Sequence, residues 1–401
     1  MSLDAVRQIH VFNAGREPER LAMKYRAMRT SAFAFLRGSC HLFYDRLPRG
    51  GIFKSAPPVW VCGDLHLENF GSYKGDNRQV YFDVNDFDES ALAPASWDLV
   101  RFLTSLRTGL EGLSMREAGV EALCQTFVDA YASSLASGKA YWVERDTAQG
   151  VVRELLDGLR DRKRASFLDS RTIVKRGRRV LLTDGRKALP VDAAQRTAVE
   201  GFMQEFAAAR PQPAFYRVLD VARRVAGTGS LGVDRFAILV QGKGSPDGNY
   251  LLDLKRALPS SLVPHLKLAQ PRWKSDAHRA VELQCRQQAV SMAFLHPVRF
   301  AETPCVLRAL QPSEDRIRLA SPGRLPAEVE AVIGTMGQMV AWAQLRSSGR
   351  DGSATADALI DFGRRRKWRV SLLAASHDCA AQVRKDAVAY NKAFDAGEFG
   401  A

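Results

Sequence analysis

Two short stretches of the 401-residue chain concentrate groups that could do chemistry. GDLHLEN, residues 63–69, follows the apolar run Val59-Trp60-Val61-Cys62 and offers Asp64, His66, Glu68 and Asn69. VYFDVNDFDES, residues 80–90, offers Asp83, Asp86, Asp88 and Glu89. Carboxylates so dense beside apolar segments need a cation, because a buried ionised carboxylate without one costs on the order of several kcal/mol or changes its pKa. An Asp followed after four residues by an Asn suits a loop with one carboxylate facing an acceptor hydroxyl and one amide oxygen facing a metal. An Asp-Phe-x segment then supplies a second metal ligand. Hard oxygen donors favour Mg2+ over Zn2+.

These residues divide into roles. Asp64 is the candidate catalytic base, and Asn69 and Asp86 are candidate metal ligands, with Asp88 as a second carboxylate. Asp83 competes for the metal: the loop length from Asn69 favours Asp83, whereas the Asp-Phe-x pattern and the distance to Asp98 favour Asp86. His66 has two readings, a substrate or phosphate contact or a hydrogen bond that stabilises its own loop. Asp361-Phe362-Gly363 is set aside, since it precedes Arg364-Arg365-Arg366 in a helix-like segment without the apolar strand a metal loop needs.

The elements around these groups follow from periodicity. Residues 59–62 and 80–84 read as strands, and 96–113 as an amphipathic helix through Leu99, Val100, Leu103 and Leu106. Residues 17–47 are helical and interrupted at Arg37-Gly38, where the arginine either meets a phosphate through its planar fork or lies beside a helix end. Further helices are expected over 115–138, 150–166, 193–209, 276–293, 326–346 and 354–399. From residue 215 the pattern changes to three period-two strands, joined by Gly227-Thr228-Gly229-Ser230-Leu231-Gly232 and by a second turn of Gly, Pro, Asp and Asn. A fourth strand covers 303–310.

GxGxxG alone is a weak signal that a plain hairpin would satisfy. Strands on both sides argue against a dinucleotide-binding turn and for a flap over nucleotide phosphates, with Gly227, Gly229 and Gly232 letting backbone amides approach. Lys255 ends the third strand, and Glu282 on the following helix is its natural partner; a lysine that merely ends a strand and an exposed helical glutamate are the plain alternatives.

GDLHLEN resembles the catalytic loop of the aminoglycoside phosphotransferase and choline kinase branch of the kinase-like superfamily, and Asp86-Phe87-Asp88 resembles its metal-binding segment. Trp97-Asp98-Leu99 resembles the helix start whose Asp braces that loop, and Lys255 resembles the lysine that contacts nucleotide phosphates. Cys62 departs from the branch, which has His before the Gly-Asp. SAFAFLRGSCHLF, VCGDLHLENFG and FDVNDFDES together resemble a bacterial family of unassigned function grouped with the kinases, over most of the chain. The resemblance implies an α+β, two-lobed protein-kinase-like fold. Its parts come in circularly permuted order: a larger catalytic lobe over 1–210, a small β-rich nucleotide lobe over 211–312 and a helical return over 313–401. It implies ATP and Mg2+ as cofactors and an unidentified hydroxyl-bearing small-molecule or protein acceptor. The same fold could instead transfer the nucleotidyl part of ATP, or act as a nucleotide-binding pseudokinase.

Composition sets limits. Forty-six per cent hydrophobic residues suffice for packed cores, and the absence of a long apolar run or signal-like start points to a cytoplasmic protein without a membrane partner. Six scattered cysteines, with no CxxC pair, read as free thiols rather than disulfides or zinc ligands. Of the +14 net charge, much lies in residues 160–187, with eleven Lys or Arg against three Asp. That segment is either a patch for nucleic acid or another anionic partner, or a solvated connector.

Overall fold

Every residue from Ser96 to Thr108 is buried, so the helix Ser96–Gly109 is surrounded by protein on all sides. Its polar groups find partners inside: Trp97 Nε1 donates to the Phe53 carbonyl at 3.1 Å, Thr104 Oγ1 to the Val100 carbonyl at 2.8 Å, and Arg107 Nε to Ser376 Oγ at 2.8 Å. The helices Glu117–Ser137 and Lys367–Asp395 pack against it, and Pro326–Arg346 packs in turn on Glu117–Ser137. Ala32–Gly38 touches it from the N-terminal side. The structure, a computed structural model, describes residues 4–110, 116–312, 315–317, 319 and 325–400. The expected helix end at residue 113 and the segment start at residue 313 lie outside the described residues.

Two small antiparallel sheets frame the carboxylate-rich loops. Pro58–Val61 pairs with Ala91–Pro94, and Phe70–Lys74 pairs with Val80–Val84, to which Val143–Glu144 adds a short edge. GDLHLEN therefore leaves one sheet and enters the other, and NDFDES makes the return journey.

A six-stranded antiparallel sheet forms the other main body, in the order Ala188–Leu189, Val218–Arg224, Arg235–Val240, Tyr250–Arg256, Thr303–Ala309, His296–Phe300. Strand alternation puts Leu252 and Leu254 on one face, where they join Val199 and Met203 of the helix Ala193–Ala208. Asp253 and Lys255 point the opposite way. The sheet thus draws its first strand and its covering helix from before residue 211. The fold is α+β, with about half the residues helical.

Two expectations are corrected. The helix from Asp276 ends at Gln287, not residue 293, because 291–293 are pulled into backbone pairing with the 70–84 hairpin: Asp76 N–H donates to the Ser291 carbonyl and Ala293 N–H to the Lys74 carbonyl, each at 2.9 Å. The basic segment is no solvated connector. It folds as the helix Arg164–Asp169 and the hairpin Thr172–Lys175 with Arg178–Leu181, and it inserts Leu168 and Leu181 against Ala222, Ala237 and Leu251 of the sheet. Arg179 is buried, bridging Asp169 and Asp247 at 2.7 Å each, while Lys175, Arg176, Arg178 and Arg186 stay exposed. Among the described residues no helix is long and apolar enough to cross a membrane.

Candidate functional site

The first loop is held from below by Asp98. Its carboxylate oxygens accept the N–H groups of Cys62 at 2.8 Å and Gly63 at 2.9 Å, the bracing expected of the helix start at Trp97. Burial raises the Asp98 carboxyl to about 6 against the pull of those two bonds. Gly63 has φ +87°, and a Cβ there would lie 2.1 Å from the Glu89 carbonyl oxygen, so only glycine lets the two acidic loops come this close.

Asp64 then projects with Oδ1 accepting from Arg101 Nε at 2.7 Å and from Arg101 Nη2, whose second partner is the Leu36 carbonyl at 3.1 Å. Burial still raises the Asp64 carboxyl above its ordinary value, although Arg101 opposes it. Asn69 is buried, and its amide nitrogen donates to the Asp64 carbonyl at 3.1 Å and the Asp86 carbonyl at 3.5 Å, tying one loop to the other.

On the second loop, burial alone would raise Asp86, but Lys255, Arg308, Arg235 and Arg316 together hold its carboxyl below the usual range. Asp88 forms an ion pair with Lys255 across the gap between loop and sheet. Glu89 accepts from Ser261 N–H at 2.6 Å and Ser261 Oγ at 2.8 Å. Asp83 belongs elsewhere: its Oδ1 caps Val84 N–H at 2.8 Å, its Oδ2 faces Arg346 at 3.4 Å, and burial raises it to about 6.

One cavity of about 350 Å³ gathers the chemistry: Asp64, Asp86, Asp88, Lys255, Gly229 and Glu89 all line it. Ser230, Arg16 and Arg37 complete the side nearest the N-terminal helices. Of the glycines, Gly227 and Gly232 stand back from the lining. Gly232 has φ +85° and its carbonyl accepts the Glu17 N–H at 2.9 Å, so its place is against the N-terminal helices. His66 also stands outside the lining: its Nδ1 accepts the Glu68 N–H at 3.1 Å, and burial pushes its pKa well down, which is the loop-stabilising role.

Glu282 is not the partner of Lys255. It is half-exposed and faces Arg286 at 3.3 Å, because the helix Asp276–Gln287 turns Arg279 inward instead. Arg279 donates to the carbonyls of Ser90 at 2.6 Å, Asp88 at 2.8 Å and Leu258 at 2.9 Å, and so fixes the second acidic loop through its backbone. Sequence reasoning missed Arg279 and Arg101. Arg101 was findable, since it lies one helical turn beyond Asp98 on the same face; nothing local distinguishes Arg279 from Arg286.

The donor set suits a hard cation that brings other ligands with it. Asp86 and Asp88 offer oxygens, yet no group of three or more His, Cys, Asp or Glu among the described residues could hold an ion unaided. Mg2+ is commonly held by one or two carboxylates while phosphates and water complete its shell.

The chain matches, over residues 16–393, the family model described as "Uncharacterized protein conserved in bacteria (DUF2252)", and it belongs to that family. No curated protein and no solved structure matches it.

Proposed function

We propose that this family member is an ATP- and Mg2+-dependent phosphotransferase of kinase-like, circularly permuted fold, acting on a hydroxyl-bearing acceptor. The observation that carries the reading is the single cavity shared by Asp64, Asp86, Asp88 and Lys255, with Gly229 of the glycine turn on its wall. An antiparallel sheet carrying a lysine, opposed to a braced Gly-Asp loop and an Asp-Phe-Asp loop, is the arrangement phosphoryl transfer uses for positioning and charge neutralisation.

In this reading Asp64 accepts the proton of the acceptor hydroxyl. The acceptor oxygen bonds to the terminal phosphorus, the bond from that phosphorus to the bridging oxygen breaks, and ADP leaves. Lys255 neutralises phosphate charge, exchanging Asp88 for the nucleotide. Asp86 and Asp88 would hold Mg2+, which supplies charge neutralisation at the phosphates. Arg101 keeps Asp64 oriented, and Arg279 keeps the Asp86–Glu89 loop in place.

Calorimetric titration of ATP with and without Mg2+, in wild type, Lys255→Ala and Asp86→Ala, tests the reading. Metal-dependent binding weakened in both variants is expected. Binding indifferent to both substitutions, or no binding, would sink it.

A further inference from the structure

The wall of the cavity formed by the N-terminal helices carries more positive charge than its paired carboxylates balance. Arg16 donates through Nη1 to the carbonyls of Gly229 at 2.7 Å and Leu231 at 3.0 Å, and Lys24 behind it, wholly buried, donates to Asn13 Oδ1 at 2.7 Å and the Gly229 carbonyl at 3.3 Å. Among the described residues neither has a carboxylate within ion-pair distance. Arg37 pairs with Glu68 at 2.6 Å, but Arg316 shares that same carboxylate at 3.4 Å, and Arg37 Nε is buried without a partner.

Desolvated cations without counter-charge are costly unless a ligand completes them. Burial accordingly lowers Arg16 to about 10, with Glu89 opposing from a distance. Three of the four acidic groups of the cavity are otherwise engaged, Asp64 with Arg101, Asp88 with Lys255 and Glu89 with Ser261, and the fourth, Asp86, is influenced chiefly by Lys255 and Arg308. The two arginines are also held in place by aromatic rings, Arg16 Cζ lying 5.2 Å from the centre of Phe12 and Arg37 Cζ 5.6 Å from that of Phe33. Both line the same cavity, and the glycine turn is packed against the N-terminal helices: Arg16 bonds the Gly229 carbonyl, and a Cβ at Gly229 would lie 3.0 Å from the Arg37 backbone carbonyl oxygen.

We propose that the acceptor carries an oxyanionic group, phosphate or carboxylate, which docks at Arg16 and Arg37 while its hydroxyl faces Asp64. The identification of this ligand as the acceptor rests on the phosphotransferase reading above. A guanidinium fork suits either oxyanion, and the substrate class is then a phosphorylated or carboxylated alcohol rather than a cationic one.

The test titrates inorganic phosphate, and separately acetate, into the full chain already saturated with Mg2+ and a non-hydrolysable ATP analogue. One additional binding event is expected, about tenfold weaker in Arg16→Gln and in Arg37→Gln and unchanged in Arg299→Gln, an exposed arginine paired with Glu302. Preference for phosphate would identify a phosphorylated acceptor, and equal or better binding of acetate a carboxylated one. Arg16→Gln also loosens the glycine turn, so Arg37→Gln, which leaves that clamp intact, carries the decision if the first variant melts early. If the analogue does not bind but phosphate binds in an Arg37-dependent way, the nucleotide reading falls and the anion site stands. If the analogue binds and neither anion adds an event, or both variants bind the anions as wild type does, the anion site is overturned.

Discussion

Lys255 and Asp88, 167 residues apart in the chain, meet as an ion pair where the six-stranded sheet faces the second acidic loop. The pair couples the two bodies at the place where the proposed nucleotide phosphate and metal would enter. Replacing Lys255 with Met leaves Asp88 without its cation and removes the positive charge that acts most strongly on Asp86. The Asp86 carboxyl, now held below its ordinary value, should rise, and the change should be visible by 13C NMR of the carboxyl. Unfolding in urea should show a loss of about 1–3 kcal/mol, since one partner of a largely buried pair is removed. An unmoved Asp86 titration would mean that the arginines alone set its charge.

The Asp98 brace predicts a specific failure. Asn at this position keeps one acceptor and turns an N–H2 group toward a backbone N–H, so one of the two bonds to Cys62 and Gly63 is lost and replaced by repulsion. Asp98→Asn should cost about 2–4 kcal/mol in urea unfolding. Gly63→Ala should cost at least as much, because it combines a positive φ with a 2.1 Å approach to the Glu89 carbonyl. If the proposed function holds, both variants should also lose the proposed Mg2+–ATP-dependent transfer. A Gly63→Ala protein as stable and active as wild type would show that the loops can part without consequence.

Arg279 and Glu282 separate two accounts of the helix Asp276–Gln287. Glu282→Gln should leave nucleotide affinity and stability unchanged, within about 0.5 kcal/mol, as expected of an exposed helical pair. Arg279→Met, by contrast, frees the carbonyls of Asp88, Ser90 and Leu258 and should lower stability by about 2–4 kcal/mol and weaken Mg2+–ATP binding. The reverse ranking would restore Glu282 as the partner of Lys255.

His41, stacked on a ring that lines the cavity, supplies a pH test that does not depend on the proposed activity. It stacks on Phe12 with ring centres 3.8 Å apart, and burial, assisted by Lys24 and Arg16, lowers it from 6.5 to about 3. A histidine whose folded pKa is depressed contributes stability that is present above its unfolded pKa and lost as pH falls, because the unfolded chain takes up a proton the folded chain refuses. Between pH 7 and 5 the loss from His41 should be about 2 kcal/mol. His41→Phe keeps the stack and should flatten the fall by that amount in urea unfolding at the two pH values. An unaltered slope would show that other groups govern it.

Much of the site was legible because its residues are close in sequence and bounded by strong signals. Asp64, Asp86 and Asp88, which line the cavity, and Asn69, which ties the two loops together, lie in the loops beside short apolar strands, and the strand that stops at Val61 leaves the residues after it at an edge. Of the two carboxylates weighed as the metal ligand, Asp86 lines the cavity and Asp83 does not, its side chain facing Arg346. The glycine turn and Lys255 were readable from period-two segments, and Gly229 and Lys255 do reach the cavity.

Other assignments depended on groups far apart in the chain. The partner of Lys255 could not be chosen by spacing, since Asp88 reaches it across 167 residues while Glu282, only 27 positions on, turns to the surface. The basic segment read as charged and exposed because its average is; Leu168, Leu181 and the buried Arg179 acquire their role only when the sheet face they cover exists. By itself, then, the amino-acid order determined the local devices: strands, turns and the types of reactive group, set by short-range periodicity and sterics, while the brace at Asp98 was expected from the resemblance alone. The tertiary structure decided which charges meet, which glycine faces the cavity and which helix face is inward, because burial and ion pairing are properties of distance in space and have no counterpart in distance along the chain.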